Sequence, residues 1–234
     1  MKKIGFIGAY DKIDLMLYIA KILTMLDKKV LVMDSTINQK ARYVVPAITP
    51  AMKYVTDFED IDVAVGFSNI EDIKNYLGVS QEQELEYDFA FIDTDNEKGF
   101  INFQLEGAQK NYFVTSFDNY SLKKGLEVLN GLQNPTGLTK VLFSKEMLKE
   151  EDDYLNFLSL GYKVMWNEYR IYFPIENGDL SVIYENQRIS KIRFRKLSVP
   201  YKDGLAYLAE EILENVSESN IRKAIKSLEK AIGI

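Results

Sequence analysis

The stretch GFIGAYDKIDL, residues 5–15, decides how the rest of the chain is read. An apolar run, KKIGFIG, leads into a short polar turn. A helical pattern then begins near Lys12, with Leu15, Ile19, Ile22, Leu23 and Leu26 recurring at helical spacing up to Asp27. Next comes KKVLVMD (28–34), a second short apolar run that ends on an aspartate. Strand, helix and strand at these lengths make a β-α-β unit, whose crossover joins parallel strands with right-handed geometry. The turn at 8–14 therefore stands beyond the carboxyl end of a first parallel strand, where open sheets of this kind hold their ligands.

The alternation continues downstream. IDVAV (61–65) reads as a strand and NIEDIKNYLG (69–78) as a short helix stopped by Gly78. YDFAFIDTD (87–95) is a third apolar run ending on aspartate, and NYFVTS (111–116) and TKVLFS (139–144) read as further strands around an amphipathic helix at 121–132. Beyond residue 145, KEMLKEEDDYLNFLSLG suggests a helix ending at Gly161, YKVMW and YRIYFP suggest two strands, and PYKDGLAYLAEEILENV (200–216) is a strong helical pattern. The expected fold is a doubly wound α/β domain with a mainly parallel sheet flanked by helices, over residues 1–216, followed by a basic amphipathic helix at 217–234.

Composition limits the chemistry. The 234 residues are 47% hydrophobic and 27% charged, as in ordinary globular proteins. There is no cysteine and no histidine, which leaves carboxylates, lysines, hydroxyls or a bound cofactor to do any chemistry. No stretch has signal-peptide form or the length to span a bilayer, so a cytoplasmic location is expected, with peripheral membrane contact through the last helix as an option. The formal charge of −6 argues against a surface basic throughout.

Three polar loops fall at one edge of the expected sheet: residues 8–14, Asp34-Ser35-Thr36 and Asp93-Thr94-Asp95. Their order and spacing resemble the MinD/ParA group of deviant P-loop ATPases, and the resemblance runs across most of the chain. The family's first loop, roughly K-G-G-x-G-K-T-[TS], lies on Ile7-Gly8-Ala9-Tyr10-Asp11-Lys12-Ile13-Asp14. YDFAFIDTD looks like the family's Walker B strand, and VTSFDNYSLKKGLEVL (114–129) is similar to its V-T-x-P-x-x-x-S-[LI] segment. The resemblance implies a nucleotide site built on Gly8, Asp11, Lys12, Asp34 and Asp93, with ATP as ligand and Asp93 on the side of a Mg²⁺ ion.

The departures fall on catalytic groups. A phosphate cradle depends on backbone N–H groups converging on the anion at a helix N-terminus, with glycines permitting close approach. Asp11 brings a carboxylate to that cradle in place of a glycine. Ile13 replaces the hydroxyl that would hold the metal, and Ile7 replaces the family's cross-dimer lysine. Asp34-Ser35-Thr36 has threonine where the family's second aspartate positions water, and a hydroxyl cannot take that proton at neutral pH. The expected function is therefore a non-hydrolysing scaffold or positioning factor, a homodimer serving a larger assembly such as pilus, secretion, conjugation or partition machinery. The alternatives are a slowly hydrolysing ATPase dimer and a DNA-binding partition protein without sequence preference.

Two basic features lie near the C-terminus. Arg188, Lys191, Arg193, Arg195 and Lys196 form a run without an acid, so the remainder of the chain carries −11. Such a run suits DNA phosphates or an acidic partner, or it pairs with nearby acids such as Glu185 and Asp203. In the last segment Ile221, Ile225, Leu228 and Ile232 share one helical stripe opposite basic residues. That stripe fits a membrane surface, as in MinD tails, or a protein partner, or the helix's own domain.

Overall fold

The computed structural model describes residues 1–47, 51–145, 149–175 and 177–230. In chain order the elements are β1 (Lys2–Ile7), α1 (Ile13–Thr24), β2 (Val30–Asp34), α2 (Ala41–Val44), β3 (Tyr54–Asp57), β4 (Asp62–Val65), α3 (Ile70–Leu77), β5 (Phe89–Thr94) and α4 (Glu97–Asn102). Then follow β6 (Lys110–Ser116), α5 (Asn119–Glu127), β7 (Thr136–Ser144), α6 (Lys149–Leu158), β8 (Val164–Pro174), α7 (Asn177–Arg188), α8 (Val199–Leu213) and α9 (Glu218–Lys230). The strands make one sheet in the order β3-β4-β2-β5-β1-β6-β7-β8. Only β3 runs antiparallel to its neighbour. The doubly wound, mainly parallel sheet expected from the sequence is thus the observed one.

Burial on both faces explains why the central strands are apolar throughout. On one face Ile4, Phe6, Val32, Phe91 and Val114 pack with α1, α8 and α9. On the other, Ile7, Met33, Ile92 and Phe113 meet α3, α4 and α5 through Ile73, Phe100 and Leu126. The helices carry the caps their sequences offer. Asn69, Asn96, Asp118 and Ser198 each accept a hydrogen bond from a first-turn backbone N–H, and Gly78 closes α3 in the left-handed conformation.

Several elements differ from the sequence expectation. YKVMW and YRIYFP form one strand, β8, with an irregularity where Leu138 to Lys140 on β7 is matched by Trp166 to Arg170. β3 folds back on β4 through a turn in which Glu59 and Asp60 have positive φ. The helix α7 was not anticipated, because buried polar residues interrupt its apolar stripe. Asp179 accepts hydrogen bonds from the backbone N–H and hydroxyl of Ser198, and Asn186 donates to Tyr18 Oη and to the Arg193 carbonyl.

The last helix lies against its own domain. Ile221, Ile225 and Leu228 are buried in the layer that contains α1 and α8. Of its cations Arg222 is engaged, with Asp203 at 2.6 Å and with Glu218 at 2.6 Å, while Lys223, Lys226 and Lys230 are exposed. The stripe read as a possible membrane or partner face is therefore covered by the chain itself at these three positions, while Ile232 lies outside the described residues. Among the described residues no helix is long and apolar enough to cross a membrane.

Candidate functional site

Sheet register brings the three expected loops together. Phe6 pairs with Asp93, Ile7 with Thr94, and Asp34 with Asp93, so β1, β5 and β2 end side by side. The Gly8 N–H donates to the Thr94 carbonyl at 3.0 Å, which fixes the start of the loop on β5. Gly8 has φ +134°, and a Cβ there would lie 2.3 Å from the Val114 carbonyl oxygen of β6, so only glycine fits.

Lys12 turns inward. Its ammonium lies 2.6 Å from Asp93 Oδ1 and donates to the Gly8 carbonyl at 2.7 Å and the Tyr10 carbonyl at 3.4 Å. Both side chains of the ion pair are nearly inaccessible, at 2% and 4% exposure. Burial pushes the Asp93 carboxyl up from its ordinary range, against the pull of the Lys12 ammonium, and nearby Asp34 adds to the rise. The loop has thus closed its lysine on the third motif's aspartate.

Asp34 is equally committed. Its Oδ1 accepts from the Thr36 N–H at 2.9 Å and the Thr36 hydroxyl at 2.6 Å, and its Oδ2 accepts from the Ala41 N–H at 2.8 Å at the start of α2. Thr36, at the place of the family's water-positioning acid, spends its hydroxyl on Asp34. Ser35 donates its hydroxyl to the Asp93 carbonyl at 2.7 Å, and Asp95 accepts from the Ile37 N–H at 2.9 Å.

Asp11, the carboxylate in place of a cradle glycine, is half-exposed and paired with Lys40 at 2.5 Å. Lys40 escaped sequence reasoning: it sits in a polar segment without periodicity, and nothing in the sequence aims it at Asp11. Ile13 is fully buried in the core. The residues present therefore do not fit a Mg²⁺ ion in the way the resemblance implies. The hydroxyl position is a packed apolar side chain, Asp93 faces Lys12, and among the described residues no group of three carboxylates could hold a metal.

Beside the loop lies a cavity of about 290 Å³, walled by Tyr10, Leu15, Phe143, Ile183, Tyr184 and Tyr201 and carrying the carboxyls of Asp11, Asp14 and Asp179. Tyr10 stacks on Phe143 at 4.7 Å, which in turn stacks on Phe173 at 5.1 Å. Asp14 accepts from Gln187 Nε2 of α7 at 2.8 Å, and burial pushes its pKa up to about 7, with the Asp11 carboxylate adding to the rise.

The basic run begins on the last residue of α7, Arg188, and continues in the loop after it, pinned by buried Ile192, Phe194 and Leu197. Lys191 pairs with Glu59 at 3.3 Å and Lys196 with Glu185 at 2.9 Å. Asp203, expected to help neutralise this run, pairs instead with Arg222. Arg188, Arg193 and Arg195 are exposed, and no ion pair joins them to a carboxylate among the described residues. The run starts close to the loop: Gln187, next to Arg188, donates to Asp14, and Lys191 and Asp14 line one small crevice.

No protein-family model matches the chain, and no curated protein matches it. Solved structures do. The MinD cell division protein of Aquifex aeolicus is similar with a TM-score of 0.58 at 15% identity, over 93% of this chain and 98% of that one. A ParA family ATPase from Chlorobium tepidum gives 0.53 at 13% identity, over 97% and 96%. A McdA–ATP complex from Cyanothece gives 0.50 at 10% identity, over 100% and 97%. The chain has the ParA/MinD P-loop type of fold over nearly its whole length.

Proposed function

We propose that this chain is a ParA/MinD-fold positioning or assembly factor whose nucleotide centre has been converted into an internal polar core, so that it acts as a non-hydrolysing scaffold. The observation that carries the reading is the Lys12–Asp93 ion pair, 2.6 Å apart and nearly inaccessible. A lysine that is to meet a phosphate must first leave its carboxylate, and an uncompensated buried charge is costly. Asp34 and Thr36 are spent on each other and on α2, so Asp34 is not free to take a proton from water. The protein works as a homodimer that recruits a larger assembly by its surface.

Calorimetry with ATP and Mg²⁺, paired with a phosphate-release assay, tests this on the wild type and on Lys12→Ala. The expected result is no turnover in either and a dimer whose population does not change with ATP. Tight binding that depends on Lys12, with turnover, would overturn the reading in favour of a slowly hydrolysing ATPase dimer.

A second reading is favoured by Arg188 at the end of α7 and by Arg193 and Arg195 in the loop after it, which is pinned by apolar residues. Three exposed arginines that form no ion pair among the described residues suit DNA phosphates, and such binding weakens steeply with salt. A gel shift of random duplex DNA that disappears between 50 and 200 mM salt, and in the triple alanine variant, supports it. No shift at low salt removes it.

A further inference from the structure

The cavity beside the loop has walls that suit neither a phosphate nor a neutral ligand. Among the described residues, Asp11, Asp14 and Asp179 line it against a single cation, Lys40. Lys40 is held by Asp11 at 2.5 Å, and Asp179 is satisfied by the N–H and hydroxyl of Ser198. Asp14 is left with one donor, Gln187, and its other oxygen has no partner among the described residues. Around it stand the rings of Tyr10, Tyr184 and Tyr201 with Leu15 and Ile183. A carboxylate short of a donor, set among aromatic faces, is the environment that attracts an organic cation through charge pairing and cation–π contact together. An anion would meet three carboxylates there.

We propose that this cavity binds a small organic cation, an ammonium or guanidinium on an apolar stem, with Asp14 as its counter-ion and Tyr10 and Tyr184 against the stem. A volume of about 290 Å³ admits a group the size of a lysine or arginine side chain with room to spare. The cation comes either from a free amine or from a side chain presented by a protein partner. This inference goes beyond the scaffold reading and does not depend on it, because it concerns a different set of side chains.

The test is titration of the full chain, followed calorimetrically, with four probes: n-butylammonium, N-acetyl-lysine methylamide, 1-pentanol as a neutral counterpart, and adenosine. Saturable binding of either cation is expected, weaker by at least about tenfold in Asp14→Asn, with no saturable binding of pentanol. Preference for n-butylammonium points to a free amine, and preference for the lysine analogue points to a partner's side chain. Equal binding of pentanol and the cations, undiminished binding in Asp14→Asn, adenosine as the only saturating probe, or no saturation by any probe overturns the proposal. Should Asp14→Asn fail to fold, Tyr184→Ala decides, because Tyr184 is half-exposed. It should bind either cation about threefold more weakly, and unchanged affinity would sink the idea.

Discussion

Asp14 and Gln187, 173 positions apart, are joined by a 2.8 Å hydrogen bond that ties the first turn of α1 to α7. The carboxyl in that bond is pushed up to about 7, against an ordinary value of 3.8, by burial first and by Asp11 second. Between those two values the folded chain therefore holds a proton that the unfolded chain has released. The native state binds more protons there, so stability falls as pH rises from about 4 to about 7 and levels off above. Asp93, also shifted upward, contributes with the same sign. Asp14→Asn removes one of these contributions while its amide oxygen can still accept from Gln187. Urea denaturation from pH 5 to 8 should show the variant gaining on the wild type by at least about 1 kcal/mol. Parallel pH profiles for the two proteins would contradict the assignment.

Gly8→Ala should be disruptive although alanine is small. The added Cβ would lie 2.3 Å from a backbone oxygen of β6, at a φ of +134° that side-chain-bearing residues rarely adopt. Neither strand can give way, since the Gly8 N–H is also bonded to the Thr94 carbonyl. A loss of about 2–3 kcal/mol is expected, which for a domain of this size lowers the thermal midpoint by roughly 5–10 °C. A midpoint within about 1 °C of wild type would mean the turn is looser than its geometry implies.

Lys12 and Asp93 give a sharper test, because one pair is asked to be structural. Lys12→Ala leaves a buried carboxylate facing carbonyl oxygens and should cost about 3–5 kcal/mol. Replacing both charges, Lys12→Met with Asp93→Leu, should recover most of that loss, since well-packed apolar side chains often replace a buried ion pair at no cost. The measurement is a double-mutant cycle by chemical denaturation. If Lys12→Ala is neutral without ATP, the lysine is not held as described and the scaffold reading weakens.

Much of the architecture was legible in the sequence because the physics behind it is local. Apolar runs ending at Ile7, Asp34 and Thr94, with amphipathic helices between, announce parallel strands buried on both faces. The convergence of Gly8, Lys12, Asp34 and Asp93 followed from the parallel topology together with the family resemblance. What the sequence concealed depends on long-range pairing. Lys40 reaches Asp11 from 29 residues away, and Asn186 reaches Tyr18 across 168 residues, contacts that leave no periodic trace. α7 was hidden for the same reason, its buried Asp179 and Asn186 looking like solvent-facing positions. The inward turn of Lys12 was also illegible, since a loop sequence does not say which way its lysine points.

The amphipathic pattern of α9 fixed its burial and left open what would cover it, and its place in the core yields the last prediction. Ile221 is fully buried, and Ile225 and Leu228 are nearly so, in the same layer as Ile212 and Leu205 of α8. Ile221→Ala should therefore destabilise the whole domain by about 2–4 kcal/mol. A chain ending at residue 216 would expose the matching face of α8 and should lose solubility. A free membrane tail behaves in the opposite way: its removal leaves stability untouched and abolishes binding to anionic vesicles. The stripe cannot serve both surfaces at once, and the helix is tied to α8 by Arg222–Asp203 and by Glu229–Lys202. Flotation of the full chain with anionic vesicles should leave it unbound. Co-flotation that Ile221→Ser eliminates, with no fall in folding stability, would show that the helix leaves its bed to reach a membrane.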